Sequence, residues 1–265
     1  MTTFIFVLTK INKTMPESPE VRIIAEKLQK CIGYYIMKIS GEMSHKINLQ
    51  FPRQIKGVTV KGKKLIFILD NDIYLVNSLS MTGDWMFQPT KTTRITFELL
   101  EPTTNNKINL YYDDQRKFGT FDTYIGIQNL INSFKNKVGP DLLNEEVSYQ
   151  QWKKVTSSVK DKQICDFLIE QKYFSGIGNE YRAEIAYHAG LNPTRLLNTL
   201  SEDELKKLYT SSITVLRNAY HKLRDTPNEY TSMVYNKSFD PYGNPIQIAL
   251  CKSKRKVYWV PNIQK

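Results

Sequence analysis

Apolar positions along this chain follow two different periods, and the place where one gives way to the other divides it. Val21, Ile24, Ala25, Leu28 and Ile32 recur at helical spacing, which predicts one buried helix face. Ser18-Pro19-Glu20 reads as the start of that helix, with Ser18 capping, Pro19 at the first helical position and Glu20 near the positive end of the dipole. From Tyr34 to Asp113 short apolar runs alternate with turn residues such as Asp70-Asn71-Asp72. This predicts strands over 35–39, 57–60, 65–69, 73–76, 94–99 and 108–112. So many short strands in succession point to an antiparallel sandwich. After Val138-Gly139-Pro140-Asp141 the period lengthens, and helices are predicted over 149–155, 162–171, 180–189 and 202–223. Gly139-Pro140 reads as a hinge. Strand character returns at 246–250 and 256–260 as a hairpin. The class is therefore α+β: an N-terminal antiparallel β-sandwich with flanking helices, then a helical domain ending in a hairpin.

Composition narrows the partners. The 265 residues, 41% hydrophobic, suffice for one large or two modest cores. A net charge of +11, still +9 without Lys10 and Lys13, suits a polyanionic partner, most economically nucleic acid. Cys31, Cys165 and Cys251 lie far apart with no CxxC pair and only three histidines, so neither a zinc site nor a disulfide framework is expected. A reducing compartment with access to DNA, nucleus or cytoplasm, is the default. The apolar run 4–8 is too short to span a membrane, and no membrane partner is expected.

Three segments carry chemistry. Met15-Pro16-Glu17-Ser18-Pro19-Glu20-Val21 has the form of a protein start displaced fourteen residues into the chain. If translation begins at Met15 and that residue is trimmed, Pro16 becomes a free secondary amine that can form a Schiff base with an aldehydic carbon. Terminal amines have a pKa near roughly 8 and are far more reactive at neutral pH than lysine. With residues 1–14 attached the same nitrogen is an inert amide. Glu17 and Glu20 beside it suit general acid work, or are simply the acidic first turn of a helix. Val60-Lys61-Gly62-Lys63-Lys64 is a basic turn able to reach phosphates, with a lysine to move a proton, or a solvated hairpin tip. In 171–182 a glycine-punctuated turn lies between two helices. Asn179 opens the second, whose N–H groups are expected to face an anion.

Taken in order, MPESPEV, KGKKL, SLSMTG, DDQRKFG, VGPDLL, the 171–182 string and KRKVYWVPNIQ resemble the formamidopyrimidine-DNA glycosylase / endonuclease VIII family, from Met15 to the last residue. The resemblance implies a bifunctional DNA glycosylase and AP lyase of base excision repair, acting on damaged DNA as a monomer without a cofactor. Pro16 would attack C1′ of the damaged nucleoside, expel the base and cleave the strand by β,δ-elimination. Glu17 would be the proton donor, Glu20 a supporting carboxylate and Lys63 a proton donor in the eliminations. Arg255 would bind the flanking phosphate. Such chemistry requires the nucleotide to be flipped out of the stack. Met81, Arg116 and Phe118 match the side chains that fill the void, although Met81 and Phe118 also read as ordinary core. Asn179, with Lys160 or Lys162, matches phosphate contacts.

Two departures from the family pattern stand out. The four-cysteine zinc finger of most bacterial members is missing: its positions read Tyr242, Val260 and Ile263, with no counterpart for the fourth. The hairpin and Arg255 remain, so a zincless finger is expected, packed by Tyr258, Val260 and Ile263 with Tyr242 opposite. The segment 224–235 is also short, where members preferring 8-oxoguanine carry a longer loop. With Thr92-Thr93-Arg94 and Tyr258-Trp259, this favours oxidised pyrimidines. The expected organisation is an extension 1–14 absent from the active protein, a catalytic sandwich 15–137, a hinge linker 138–148, a helix–two-turn–helix domain 149–224 and a zincless finger 225–265. If residues 1–14 are retained, the alternative is a non-catalytic protein that binds DNA or abasic sites.

Overall fold

The computed structural model describes residues 15–227 and 229–265, so the expected extension 1–14 lies outside the described residues. The chain divides into two compact units that are discontinuous in sequence. Among the described residues one holds Met15–Pro16, Ile24–Thr59 and Lys64–Leu130; the other holds Glu17–Ile23, Val60–Lys63 and Ile131–Lys265. Helix α1 (Ser18–Leu28) and strand β2 (Arg53–Lys61) each run from one unit's segment into the other's.

In the first unit β1 (Tyr35–Ser40), β2, β3 (Lys64–Leu69), β4 (Ile73–Ser78), β5 (Gly83–Met86), β6 (Thr93–Leu100), β7 (Lys107–Asp114) and β8 (Thr120–Ile125) hydrogen-bond in the order β5-β7-β6-β1-β2-β3-β4-β8. Strands distant in that order nevertheless meet through their side chains. Trp85 of β5 lies 6.3 Å from Phe121 of β8, and Phe67 of β3 lies 5.9 Å from Phe97 of β6. The sheet therefore curls over on itself around an aromatic core completed by Tyr112, each pair adding about 0.5–1.5 kcal/mol beyond its buried area. That is the sandwich expected from the alternation. The pattern does not reveal β5, four residues containing an exposable Asp84, or β8, whose Thr120, Asp122 and Ile125 break a clean alternation. Helix α2 (Ile127–Phe134) is also missed, although Ile127, Leu130, Ile131 and Phe134 recur at helical spacing; it is eight residues long and buries only Leu130.

The second unit is built on α3 (Tyr149–Ser158), α4 (Ile164–Ile169), α5 (Asn179–Ala189) and α6 (Glu202–Asp225). Ser148 with Gln151 and Ser201 with Glu204 form capping boxes at the starts of α3 and α6. Helix α5 is buried on every face, and Gly190 ends it in the left-handed conformation (φ 67°). Gly139-Pro140 is not a free hinge. Gly139 N–H donates to Gln171 C=O at 2.8 Å, Ser175 N–H donates to Pro140 C=O at 2.8 Å, and a side chain at 139 would strike the Tyr173 carbonyl.

The finger is the hairpin β9 (Gln247–Leu250) and β10 (Lys256–Trp259). Its packing differs from the sequence expectation. Val260 is fully buried and Tyr258 packs beside it, but Ile263 is 38% and Tyr242 80% exposed. Val257, Val234, Cys251 and Cys165 complete the cluster with Ala183 and Tyr187. Val257 enters it because alternate β10 residues point inward, a register that a comparison with zinc ligands cannot supply. Cys165 and Cys251 are joined as a disulfide, contrary to the expectation of none. Their separation of 86 residues left no local spacing to read.

Candidate active site

The chemistry-bearing residues of the second unit gather around the start of α5. Glu17 occupies the cap position of α1: its C=O accepts Val21 N–H at 3.0 Å, and its own N–H donates to the Glu20 carboxylate at 3.1 Å. Ser18, expected to cap, instead directs its hydroxyl to Asp141 at 3.3 Å. The Glu17 side chain reaches the other helix. Its carboxylate accepts N–H from Gly178, from Glu180 at 3.0 Å and from Tyr181 at 3.4 Å. The N–H groups expected to face an external anion thus hold the chain's own carboxylate. Gly178 is required by this approach, since a Cβ there would collide with both the Glu17 carboxyl and Lys63 Nζ.

Burial dominates the electrostatics. It raises the Glu17 carboxyl to about 7, with nearby Glu20 adding to the rise and Lys63 and the helix N–H groups opposing it. The carboxyl is therefore substantially protonated near neutrality, as a general acid must be. Burial likewise lowers Lys63, against the pull of Glu17 and Glu20, with Arg255 and Arg182 lowering it further. The buried Glu20 accepts the Tyr181 hydroxyl at 2.8 Å, and burial with the Glu20 charge keeps that phenol protonated.

Lys63 is placed by a residue the sequence reading did not single out. Asp141, within VGPDLL, is 1% exposed and accepts Gly62 N–H at 2.7 Å, Leu143 N–H at 3.0 Å and Asn144 Nδ2 at 2.7 Å. Gly62 turns with φ 57° against Ser175, where no Cβ fits. Gly178, Tyr181 and Arg182 were also missed, because the sequence signal there is a glycine-rich turn and not a recognisable donor set. Arg182, wholly buried, donates to Lys256 C=O at 2.7 Å, next to the exposed Arg255. Glu180 accepts the hydroxyls of Tyr230 and Ser232, and Glu184 accepts the N–H groups of Met233, Val234 and Tyr235, so 230–235 is strapped along α5.

Of the remaining predicted residues, Asn179 belongs to this site and the others fall elsewhere. Asn179 opens α5, and its Oδ1 is buried without a partner. Lys160 is exposed, while Lys162 stands over the Tyr173 ring at 5.8 Å. In the first unit Met81, Arg116 and Phe118 do come together. Arg116 Nη1 lies 2.9 Å from Met81 Sδ, and its guanidinium lies 4.8 Å over the Phe118 ring, which is 52% exposed. Asp114 builds the loop beneath them by accepting Gly119 N–H at 2.8 Å and Arg116 N–H at 3.2 Å. Thr92, in the turn before β6, and Thr93, its first residue, bond Asp113 through their hydroxyls and fasten that turn to β7. Pro16 is half-buried beside Glu17 in the chain.

Known proteins share the domains of this chain. The formamidopyrimidine-DNA glycosylase N-terminal domain matches residues 15–121, the H2TH domain 138–228 and the C-terminal domain 222–265. The formamidopyrimidine-DNA glycosylase of Carboxydothermus hydrogenoformans is 30% identical over 74% of this chain and 73% of its own length. That of Ligilactobacillus salivarius is 26% identical over 94% and 99%. Among solved structures, MutM in complex with carbocyclic 8-oxo-G containing DNA covers 94% of this chain and 100% of its own at 26% identity and TM-score 0.81. The Lactococcus lactis enzyme with an oxidised pyrimidine containing DNA gives the same four values. On these matches the chain belongs to the formamidopyrimidine-DNA glycosylase family of DNA N-glycosylase/AP lyase enzymes.

Proposed function

We propose that this protein excises oxidised bases, pyrimidines foremost and ring-opened purines as well, and cleaves the resulting abasic strand through a Schiff base on Pro16. The carrying observation is the Glu17 carboxyl, buried, raised to about 7 and adjacent in the chain to the proline nitrogen. In this reading the Pro16 amine attacks C1′, Glu17 delivers the proton that opens the sugar, and the base leaves. The iminium that forms makes the 2′ proton acidic, so β-elimination and then δ-elimination follow. Lys63 supplies a proton in those steps, while Arg255 and Asn179 hold phosphates. Met81, Arg116 and Phe118, clustered with the latter two exposed and Met81 half-buried, suit the vacancy left in the stack.

The short strap 230–235, tied down on Glu180 and Glu184, supports the pyrimidine preference because it leaves no long loop to fold over a purine. Competition between 8-oxoguanine and 5-hydroxycytosine duplexes tests it: faster excision of the purine would overturn the preference.

The Schiff base is tested by borohydride trapping on abasic DNA with proteins beginning at Met1 and at Met15. The family match starts at Met15, and trapping is expected only where Pro16 is free. Equal trapping by a protein shown by mass to retain residues 1–14 would remove Pro16 as the nucleophile. A second reading follows from the same bond: while Met15 acylates the proline nitrogen, the protein binds DNA or abasic sites without cleaving them.

A further inference from the structure

The loop that carries Arg255 is fastened to the helices at points the reaction above does not use. Cys251 N–H donates to Arg255 C=O at 2.9 Å and closes the loop. Gln163 Oε1 accepts Lys252 N–H at 2.7 Å, and Asp166 accepts Ser253 N–H at 3.2 Å and its hydroxyl at 2.5 Å. Arg182 holds Lys256 C=O from the far side. Amid these contacts Cys165 and Cys251, with Cα atoms 6.5 Å apart and side chains buried, form the disulfide. Arg182 Nη1 stands 3.6 Å from Cys251 Sγ.

We propose that Cys165–Cys251 is a reversible thiol–disulfide switch that sets how firmly the Arg255 loop is held. Cys251 is taken as the attacking sulfur because the Arg182 guanidinium lies against its sulfur and not against that of Cys165. With a small-molecule disulfide as oxidant, this thiolate attacks one of its sulfurs and releases one thiolate. Cys165, deprotonated in turn, attacks the mixed disulfide at Cys251 and releases the second. One disulfide is consumed, one is formed and two thiols depart; excess thiol reverses both steps. The Asp166 carboxylate lies within 4.8 Å of both sulfurs, but the Arg182 cation beside Cys251 opposes a metal ion there. In a reducing compartment a disulfide of this kind is characteristically transient and sensing. Reduction removes the covalent tie yet leaves Val257, Val260 and Val234 packed, so the hairpin stays folded while its loop loosens.

The test equilibrates the whole chain in glutathione buffers of graded poise, then quenches, alkylates and weighs the cysteine peptides. The disulfide fraction is expected to titrate with the buffer, and amides of 252–256 to exchange roughly tenfold faster in the reduced protein. Cys165→Ser and Cys251→Ser should abolish the response, and Cys31→Ser, at a buried thiol pushed up to about 12, should keep it. Quantitative alkylation of both cysteines at every poise, unchanged loop exchange, or stoichiometric zinc held by the reduced thiols would overturn the proposal. The wild-type titration stands even if a serine variant misfolds. A DNA arm rests on the reading of Arg255 as a phosphate contact: the oxidised protein should bind an abasic-analogue duplex roughly fivefold tighter, because a pre-ordered loop forfeits less entropy. Saturating DNA should shift the thiol titration by the same factor. A loop that responds while DNA affinity stays flat would uphold the switch and count against Arg255, so the two readings fail separately.

Discussion

At the scale of single residues Glu17 has two employments, as candidate acid and as the anion that caps α5. Glu17→Gln turns an amide N–H toward backbone N–H donors, so we expect a loss of about 1–3 kcal/mol in denaturant unfolding together with slower excision. Cleavage of a preformed abasic site should suffer less, because no base remains to be expelled. Since the acid works protonated, wild-type excision should fall as pH rises through about 7, and the variant should lose that limb. Stability follows the same sign. The folded carboxyl binds its proton more tightly than the unfolded one, so its own contribution to stability, read as the difference between wild type and Glu17→Gln, is greatest below about 4.5 and declines until about 7. A flat difference between wild type and Glu17→Gln over that window would show that Glu17 is ionised throughout. Pro16, Glu17 and Glu20 were legible because they are contiguous and chemically distinctive. The partners of Glu17 were not, because they are backbone amides 161 and more residues away that carry no side-chain signature.

At the scale of elements, the β2–β3 turn and the start of α5 are shaped by what presses on them. Asp141→Ala leaves Gly62 N–H unpaired, which should cost about 1–3 kcal/mol and slow elimination through a misplaced Lys63. Unfolding midpoints and abasic-site cleavage rates measure both; loss of stability with wild-type cleavage would detach Asp141 from the site. Gly178→Ala should be worse, with at least a hundredfold loss of excision, since the new methyl displaces the Glu17 carboxyl and Lys63 together. Helices and long strands could be read from the chain because burial on one face leaves a period. Strand β5 is too short to leave one, and α2 leaves one over only eight residues. The buried Asp141 looked like an ordinary turn residue, because a hydrogen-bond acceptor of distant amides resembles any other aspartate in sequence.

At the scale of the molecule, the +11 charge predicts affinity that falls steeply with salt, each phosphate contact adding about −0.9 to the log–log slope. Asn179→Ala and Arg255→Ala should each weaken binding on all sequences alike, and only Arg255→Ala should also flatten the slope. Arg116→Ala and Phe118→Ala should instead slow excision from duplex at least tenfold while sparing cleavage of single-stranded abasic DNA, where no vacancy needs filling. Equal loss on both substrates would mean that the cluster positions the backbone. A chelator should leave fold and activity unchanged, as a finger held by Val257, Val260 and Val234 requires. Val260→Ser should loosen it.

The burial of α5 on every face has a consequence for any survey of tolerated substitutions. Along α6 the buried positions, Leu208, Leu216, Ala219, Tyr220 and Leu223, recur with the helix turn, so permissive and forbidding sites should alternate. Along α5 nine of eleven residues are enclosed, from Glu180 to Ala189. Tolerance there should be low and without rhythm. A mutational map of this protein would show α5 as an intolerant band interrupted only at the exposed His188, in which the residues that serve the reaction are indistinguishable from those that merely fill space.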